Sequence, residues 1–271
     1  MTVLARANPP LTIGILILGC VLTFAVLAPL VAPYGVAEQN ILDRLQRPGA
    51  KHLLGTDQYG RDLLTRTLFG GRTALLLGLG AVALGLLLGV PIGLASGYAG
   101  GRTDEVIMRV VDAFLSFPAL LMALMIVTAL GASTMHALLA IGVANAPGIA
   151  RIVRSQTLAV KHEEFVLAAR AQGDSHPYIM FGEILPNLLP PIVIEATIRV
   201  GFAILASASL SFLGLGVRPP TADWGLMIRE ARQHIFLSPW PLLCPGLALA
   251  LTIVGFNLFG DGVRDRLAGR G

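Results

Sequence analysis

Glu195 and Arg199 stand four residues apart in an otherwise apolar stretch, so on a helix they share a face in the favourable acid-first order. Charges at membrane depth are costly unless paired or wet, so the two read first as a structural ion pair and, as the alternative, as the lining of a polar path. Asp112 opens another apolar run, with Arg109 one turn before it as the expected partner and a pathway role as the alternative. Asn145 and His136 lie in the run that follows, where a lone polar side chain usually bonds a neighbouring helix. The candidate path residues are therefore Asp112, Asn145, Glu195 and Arg199.

A second polar feature has a different character. Between two long apolar runs the chain reads Glu163-Glu164-Phe165-Val166-Leu167-Ala168-Ala169-Arg170-Ala171-Gln172-Gly173. Phe165, Ala168, Ala169 and Gln172 recur at helical spacing, giving a face with one bulky and several small residues. Gly173 suits the left-handed position that closes a helix, Asp174 or Ser175 can cap the next one, and Pro177 is tolerated in its first turn. Such a helix-bend-helix, with its small face, is shaped to press into a groove on another protein.

Several chemistries are absent. No Gly-x4-Gly-Lys-Ser/Thr loop cradles a nucleotide, and Lys51 and Lys161 are the only lysines. His162-Glu163 lacks the second His of a zinc protease, and no Gly-x-Ser-x-Gly elbow occurs. The 20 basic residues are scattered without interleaved aromatics, which argues against nucleic acid. Cys20 and Cys244 fall inside apolar runs and define neither a disulfide framework nor a metal site. The chain is expected not to be an enzyme and to hold no cofactor.

The elements that position these residues are membrane helices. The 271 residues are 55% hydrophobic and only 13% charged, whereas a soluble domain carries about 25% charged residues. Charge-free runs cover 7–37, 73–101, 113–150, 200–217 and 233–260. The 113–150 run accommodates two spans broken at Gly131-Ala132-Ser133. Six spans result, at roughly 11–31, 74–97, 112–130, 135–152, 190–213 and 241–260. The fold class is all-α and polytopic. The first run, preceded only by Arg6 and longer than a signal-peptide core, reads as a retained span.

Two units are expected: residues 1–72, a helix plus an outer loop, and residues 73–271, the core. In the loop, Gly55 and Gly60 permit tight turns, Asp57 can bond backbone amides, and Arg61 and Asp62 offer a local ion pair. Leu63 to Gly71 reads as an interfacial helix, and Trp224 as an interfacial anchor. Gly85, Gly89, Gly93 and Gly97 form a small-residue stripe for close helix packing, within the chain or across a dimer. Basic residues divide ten against nine between the two sides, so charge alone does not orient the chain.

The spacing Glu164, Ala168-Ala169, Gly173, then Ile184-Leu185-Pro186 resembles the EAA loop of ABC importer permeases. Gly55-Thr56-Asp57-Gln58-Tyr59-Gly60-Arg61-Asp62, Ser209 to Pro220 and Asn257 to Asp265 are similar to stretches of the dipeptide, oligopeptide and nickel permeases. The resemblance runs from about residue 50 to the C-terminus. It implies a multi-pass protein of the bacterial inner membrane that imports di- or oligopeptides, with nickel chelates or glutathione as alternatives. A stand-alone channel or scaffold is the reading from another class. The implied partners are a homologous second permease subunit, two cytoplasmic ATP-binding subunits carrying ATP and Mg, an extracytoplasmic solute-binding protein, and membrane lipid. Carried onto this chain, the coupling residues are Glu164, Ala168, Ala169, Arg170, Gly173, Leu185 and Pro186. The implied mechanism is alternating access driven by the ATPases. Gly173→Pro or Ala169→Asp is then expected to abolish uptake with the protein retained in the membrane, and wild-type uptake by either variant would refute the assignment.

Overall fold

A computed structural model describes residues 9–267; Arg6 and Arg270 lie outside the described residues. Among the described residues nine helices longer than a single turn carry the fold: α1 (Pro9–Val31), α2 (Leu63–Ala99), α3 (Gly101–Leu115), α4 (Ala119–Leu130), α5 (Thr134–Val160), α6 (Glu164–Gln172), α7 (His176–Leu213), α8 (Trp224–Ala231) and α9 (Trp240–Leu267). A π turn at Ile179–Ile184 interrupts α7 near its start. Among the described residues the only β feature is one bridge between Thr56 and Asp62.

Among the described residues five helices are long and apolar enough to cross a bilayer, and six if the pair α3–α4, bent by 82° at its break, counts as one span. This matches the expected number, with one change. The third span begins at Gly101, and Ser116-Phe117-Pro118 splits it, because Pro118 disfavours helix at Phe117. The break between α4 and α5 falls at Gly131-Ala132-Ser133, as the composition indicates. Ser133 caps α5 by accepting the His136 amide at 3.0 Å.

α2 has no separate interfacial helix before it. Leu63 to Ala99 is one unbroken element, capped by Asp62, whose carboxylate accepts the Thr65 amide at 2.8 Å. The periodicity from Leu63 to Gly71 buries against the protein itself, with Leu63, Thr65 and Arg66 almost fully enclosed. The helix therefore crosses the 72/73 division without interruption.

The centre of the molecule is the seam between α2 and α5. Gly85, Gly89, Gly93 and Gly97 all face α5, which settles the stripe as a contact within this chain. At Gly89 an added Cβ would lie 2.6 Å from the Ala146 carbonyl oxygen, and at Gly93 2.5 Å from that of Ala150. Helix backbones touch there, and packing is the force that joins helices in lipid. α1 lies along α9, and α9 and α2 both pack on α7. Cys20 is exposed on α1 and Cys244 partly buried on α9; both are free thiols.

Residues 32–62 and 214–239 fold together over one end of the bundle. Arg61 donates to Asp57 and to Glu230, both at 2.5 Å. The expected Arg61–Asp62 pair is thus corrected: Asp62 is committed to its helix cap and to His52 Nδ1 at 2.9 Å. Asp57 also accepts the backbone amides of Tyr59 and Arg61, as the loop composition implies. Trp224 is no interfacial anchor; it is buried, and its indole donates to the Thr67 carbonyl at 2.9 Å. Thr73 donates to the Ala222 carbonyl at 2.8 Å beside it. The Lys51 ammonium, 2.5 Å from Asp43, holds that carboxyl below its ordinary range, with His52 adding to the effect. Its folded pKa is depressed, so this contribution is present above the unfolded value near pH 4 and is lost as pH falls through the lower folded value.

Gly89→Val or Gly93→Val is expected to lower the melting temperature of the detergent-purified protein through a loss of roughly 1–3 kcal/mol. Gly246→Ala, where an added Cβ meets nothing within 4 Å, should leave it unchanged. Equal melting temperatures for all three variants would show that the seam is not what holds the bundle.

Candidate functional site

At the end of the bundle opposite the 32–62 and 214–239 cap, α5 runs into the polar foot. The Lys161 ammonium donates to the Gly97 carbonyl at 3.0 Å, placing a cation on the C-terminus of α2. Glu164 occupies the first turn of α6, the end where a carboxylate favours the helix dipole. Gly173, at φ +83°, closes the helix. Its amide donates to Arg170 and that of Asp174 to Ala169, both at 3.1 Å, the paired bonds of a Schellman close. Ser175 then caps the start of α7, with Pro177 in the first turn. The expected helix and bend are present, but the second short helix expected after the bend is instead the first turn of α7, which runs on through the π turn to Leu213.

The seat of α6 is apolar. Val166 and Ala169 are buried against Leu94, Ile149, Val153, Ile179 and Ile184, with Phe165 and Leu185 alongside. This corrects the small face inferred from spacing. Phe165 and Ala169 turn towards the protein, because Val166 and Ala169 are one turn apart and together reach the apolar seat. The face left open carries Glu164, Leu167, Ala168 and Ala171 at i, i+3, i+4 and i+7, with Arg170, Gln172 and Gly173 beside it. Leu167, 49% exposed, is the residue that reasoning from small side chains misses. Pro186 is exposed beyond the π turn.

Polar contacts stiffen the foot. The Tyr98 hydroxyl and His176 Nδ1 lie 2.9 Å apart, and the Arg170 guanidinium sits 5.0 Å from the Tyr98 ring centroid. One turn into the bundle, Arg154 donates twice to Asp104 at 2.5 Å, and Ser96 donates to the same carboxylate at 2.5 Å. That cluster ties α2, α3 and α5 at the level where α6 attaches. Asp104 and Arg154 are 50 residues apart, and no local pattern signals their pairing.

The four path candidates gather along α5. Glu195 accepts from Arg199 at 2.6 Å, and Arg199 reaches the Asn145 side-chain oxygen at 3.4 Å. Its guanidinium lies over Gly148, where a Cβ would come within 2.8 Å. One turn further along α5, Arg151 donates to Asp112. The Asp112–Arg109 pairing is corrected, because Arg109 is held by Glu105 on its own helix at 2.6 Å. Asn145, Gly148 and Arg151 thus form a polar stripe at three-residue steps, joined to α7 above and to α3 below. Asp112 and Arg151 are 57% and 54% exposed in this single chain. A charge at the bilayer centre costs about 2.5–3.5 kcal/mol on insertion scales, so such a face meets water or protein rather than lipid. Beside it, a cleft of about 250 Å³ between α4, α5 and α7 is lined by Leu120, Ile141, Asn145, Phe202, Leu205 and Ser209. His136 is not part of it; its Nδ1 lies 2.8 Å from the Gly131 carbonyl oxygen. Among the described residues no group of three or more His, Cys, Asp or Glu forms a metal site.

Comparison with known proteins places this geometry. Residues 89–270 match a family described as the binding-protein-dependent transport system inner membrane component, and residues 5–48 match the N-terminal TM domain of oligopeptide transport permease C. The chain is 43% identical to the dipeptide transport system permease protein DppC of Alkalihalophilus pseudofirmus, over 97% of this chain and 86% of that protein. It is 40% identical to the probable D,D-dipeptide transport system permease protein DdpC of Escherichia coli, over 95% and 87%. It is 37% identical to the glutathione transport system permease protein GsiD of Pectobacterium atrosepticum, over 97% and 87%. An inward-facing structure of the MetNI methionine ABC transporter superposes with a TM-score of 0.61 at 21% identity, covering 74% of this chain and 95% of that one. That likeness concerns the fold.

If the Glu195–Arg199 pair is desolvated, Glu195→Gln alone should lower the melting temperature more than Glu195→Gln with Arg199→Gln, because the single change strands a cation. A double-mutant cycle by thermal melting should give a coupling of about 1 kcal/mol or more. Additive effects would mean that water already separates the two groups.

Proposed function

The chain belongs to the family of binding-protein-dependent inner-membrane transport components, and we propose that it moves short peptides across the membrane under the drive of separate ATPase subunits. It is a multi-pass permease of the inner membrane. The peptide class comes from the relatives, whose names specify dipeptides, D,D-dipeptides and glutathione, itself a small peptide.

The observation that carries this reading is the geometry of α6. Its inner face packs on the start of α7 and joins an apolar cluster with residues of α2 and α5, while Glu164, Leu167, Ala168 and Ala171 stand clear on the outer face. A helix seated on such a cluster transmits a push instead of yielding, and small side chains let a partner approach closely. The partners are two cytoplasmic ATP-binding subunits, on which ATP and Mg reside, together with a second, homologous permease subunit and a solute-binding protein outside. This chain carries no nucleotide site of its own and is no enzyme. ATP-driven closure of the ATPases displaces α6. The Lys161–Gly97 and Asp104–Arg154–Ser96 links pass that displacement to α2, α3 and α5. The stripe of Asn145, Arg151, Asp112, Glu195 and Arg199 then faces the path, completed by the second permease subunit. Two conformations differing in access, biased by nucleotide, suffice for transport.

The inner and outer faces of α6 separate two kinds of failure. Ala168→Asp alters only the exposed face, so the protein should melt as wild type, lose co-purifying ATPase subunits and show uptake of a radiolabelled dipeptide reduced by about tenfold or more. Ala169→Asp buries a carboxylate in the apolar seat and should lower thermal stability as well, by roughly 1–3 kcal/mol. Wild-type uptake and ATPase retention in Ala168→Asp would overturn the coupling role of α6.

A further inference from the structure

Along α7 the residues Glu195, Arg199, Phe202, Ala206 and Ser209 follow one another at steps of four and three, so they share one face of the helix. The last three line the cleft between α4, α5 and α7. The charged pair and the cleft thus lie on a single stripe. Across the cleft α5 repeats the arrangement: Ile141 and Asn145 stand in the lining, and Gly148 and Arg151 continue the row. A charged stripe does not face lipid, so the cleft opens on a side of the chain that meets water or protein.

The cleft itself is apolar, with a charge at one end. It holds about 250 Å³. An apolar cavity of about 150 Å³ already takes up benzene, so this volume admits a phenyl ring or a branched aliphatic group. Ala123, Ala144 and Ala206 keep it open, and exposed Phe202 and Leu205 stand as a wall. Asn145 marks the polar end. Its Nδ2 donates to the Ile141 carbonyl at 3.0 Å, and its side-chain oxygen accepts from Arg199 Nη1 at 3.4 Å. Arg199 is one turn from Phe202 and Glu195 is two, so the guanidinium is the member of the pair nearer the cleft. A guanidinium has five N–H donors, and Glu195 and Asn145 take one each. The others suit a carboxylate.

An apolar group beside a carboxylate is what the C-terminal residue of a peptide presents. We infer that this cleft is a subsite for the apolar side chain of that residue, with the peptide carboxylate held at Arg199. The inference rests on the import function proposed above and adds to it a selection by side chain within the permease, apart from any made by the binding protein.

The test uses the complete transporter in proteoliposomes, with both permease subunits, the ATPase subunits and a binding protein that supports dipeptide uptake. The substrates are radiolabelled Gly-Phe and Phe-Gly, which share composition and net charge and differ in the end that carries the ring. Ala206→Phe fills the cleft and should lower the ratio of Gly-Phe to Phe-Gly uptake about tenfold, the scale on which an apolar pocket discriminates. One binding protein serves every variant, so its own preference cancels. Leu247→Phe, at an exposed position on α9, should leave the ratio at its wild-type value. In the wild type, a dipeptide ending in benzoylphenylalanine should photolabel residues within 119–123, 141–145 or 202–209, and excess Gly-Phe should suppress the labelling more than Phe-Gly. Equal loss of both isomers in Ala206→Phe overturns the inference, because the cleft then serves the path or the packing without reading a side chain. Loss of the second permease subunit from that variant overturns it in favour of a subunit contact. An unchanged ratio with no labelling of these segments overturns it in favour of lipid in the cleft and leaves the importer reading standing. If the wild type takes up no dipeptide with any binding protein, the importer reading fails and this inference falls with it.

Discussion

Everything in this molecule depends on two helix backbones being allowed to touch. In water, α2 and α5 would be driven together by burial of apolar surface; in lipid that force is absent, and close packing must supply it. Gly89 and Gly93 provide the approach, against the Ala146 and Ala150 carbonyls. With that seam closed, α5 carries its polar stripe on one side and delivers its C-terminal end to α6, while α2 supplies the Gly97 carbonyl and Tyr98 that anchor the foot. The polar stripe and the foot are therefore positioned by one helix pair, and neither is placed independently of the other.

Charge is handled by depth. Near the foot, Asp104, Arg154 and Ser96 form a closed cluster that welds three helices. Further into the bundle, Glu195–Arg199 and Asp112–Arg151 are satisfied yet remain partly exposed. In the cap of residues 32–62 and 214–239, buried acids hold the loops together. The same ion-pair chemistry thus welds helices in one place and stays partly open in another, according to what surrounds it.

Much of this was legible in the residues. The span count, the break at Gly131 to Ser133, the closure at Gly173, the Ser175 cap and the Glu195–Arg199 pair each follow from composition or from spacing within a turn or two. What failed turned on the choice among partners. Local pairing was expected for Arg61 with Asp62 and Arg109 with Asp112; both arginines instead take a carboxylate four residues away, Asp57 and Glu105, while Glu230 adds to Arg61 from 169 residues away and Asp112 takes Arg151 from 39. Trp224 reads as an interface residue by type and is a core residue by position, because the α2 helix that buries it is distant in sequence. The outward face of α6 was misjudged for a related reason: spacing identifies which residues share a stripe, and only the apolar seat decides which stripe turns inward.

The π turn at Ile179–Ile184 gives α7 a property unlike that of the other spans. A π turn accommodates one residue more than an α-helix would over the same rise, so it sets the angular phase between the part of α7 beside α6 and the part that carries Glu195 and Arg199. One residue corresponds to about 100° of rotation on a helix. The segment from Gly173 to Pro186 therefore encodes an angle through its length more than through its letters. Substitutions there change side chains locally, whereas loss of a single residue would swing the charged pair off α5 while leaving every helix in place. Length, in this stretch, is itself structural information.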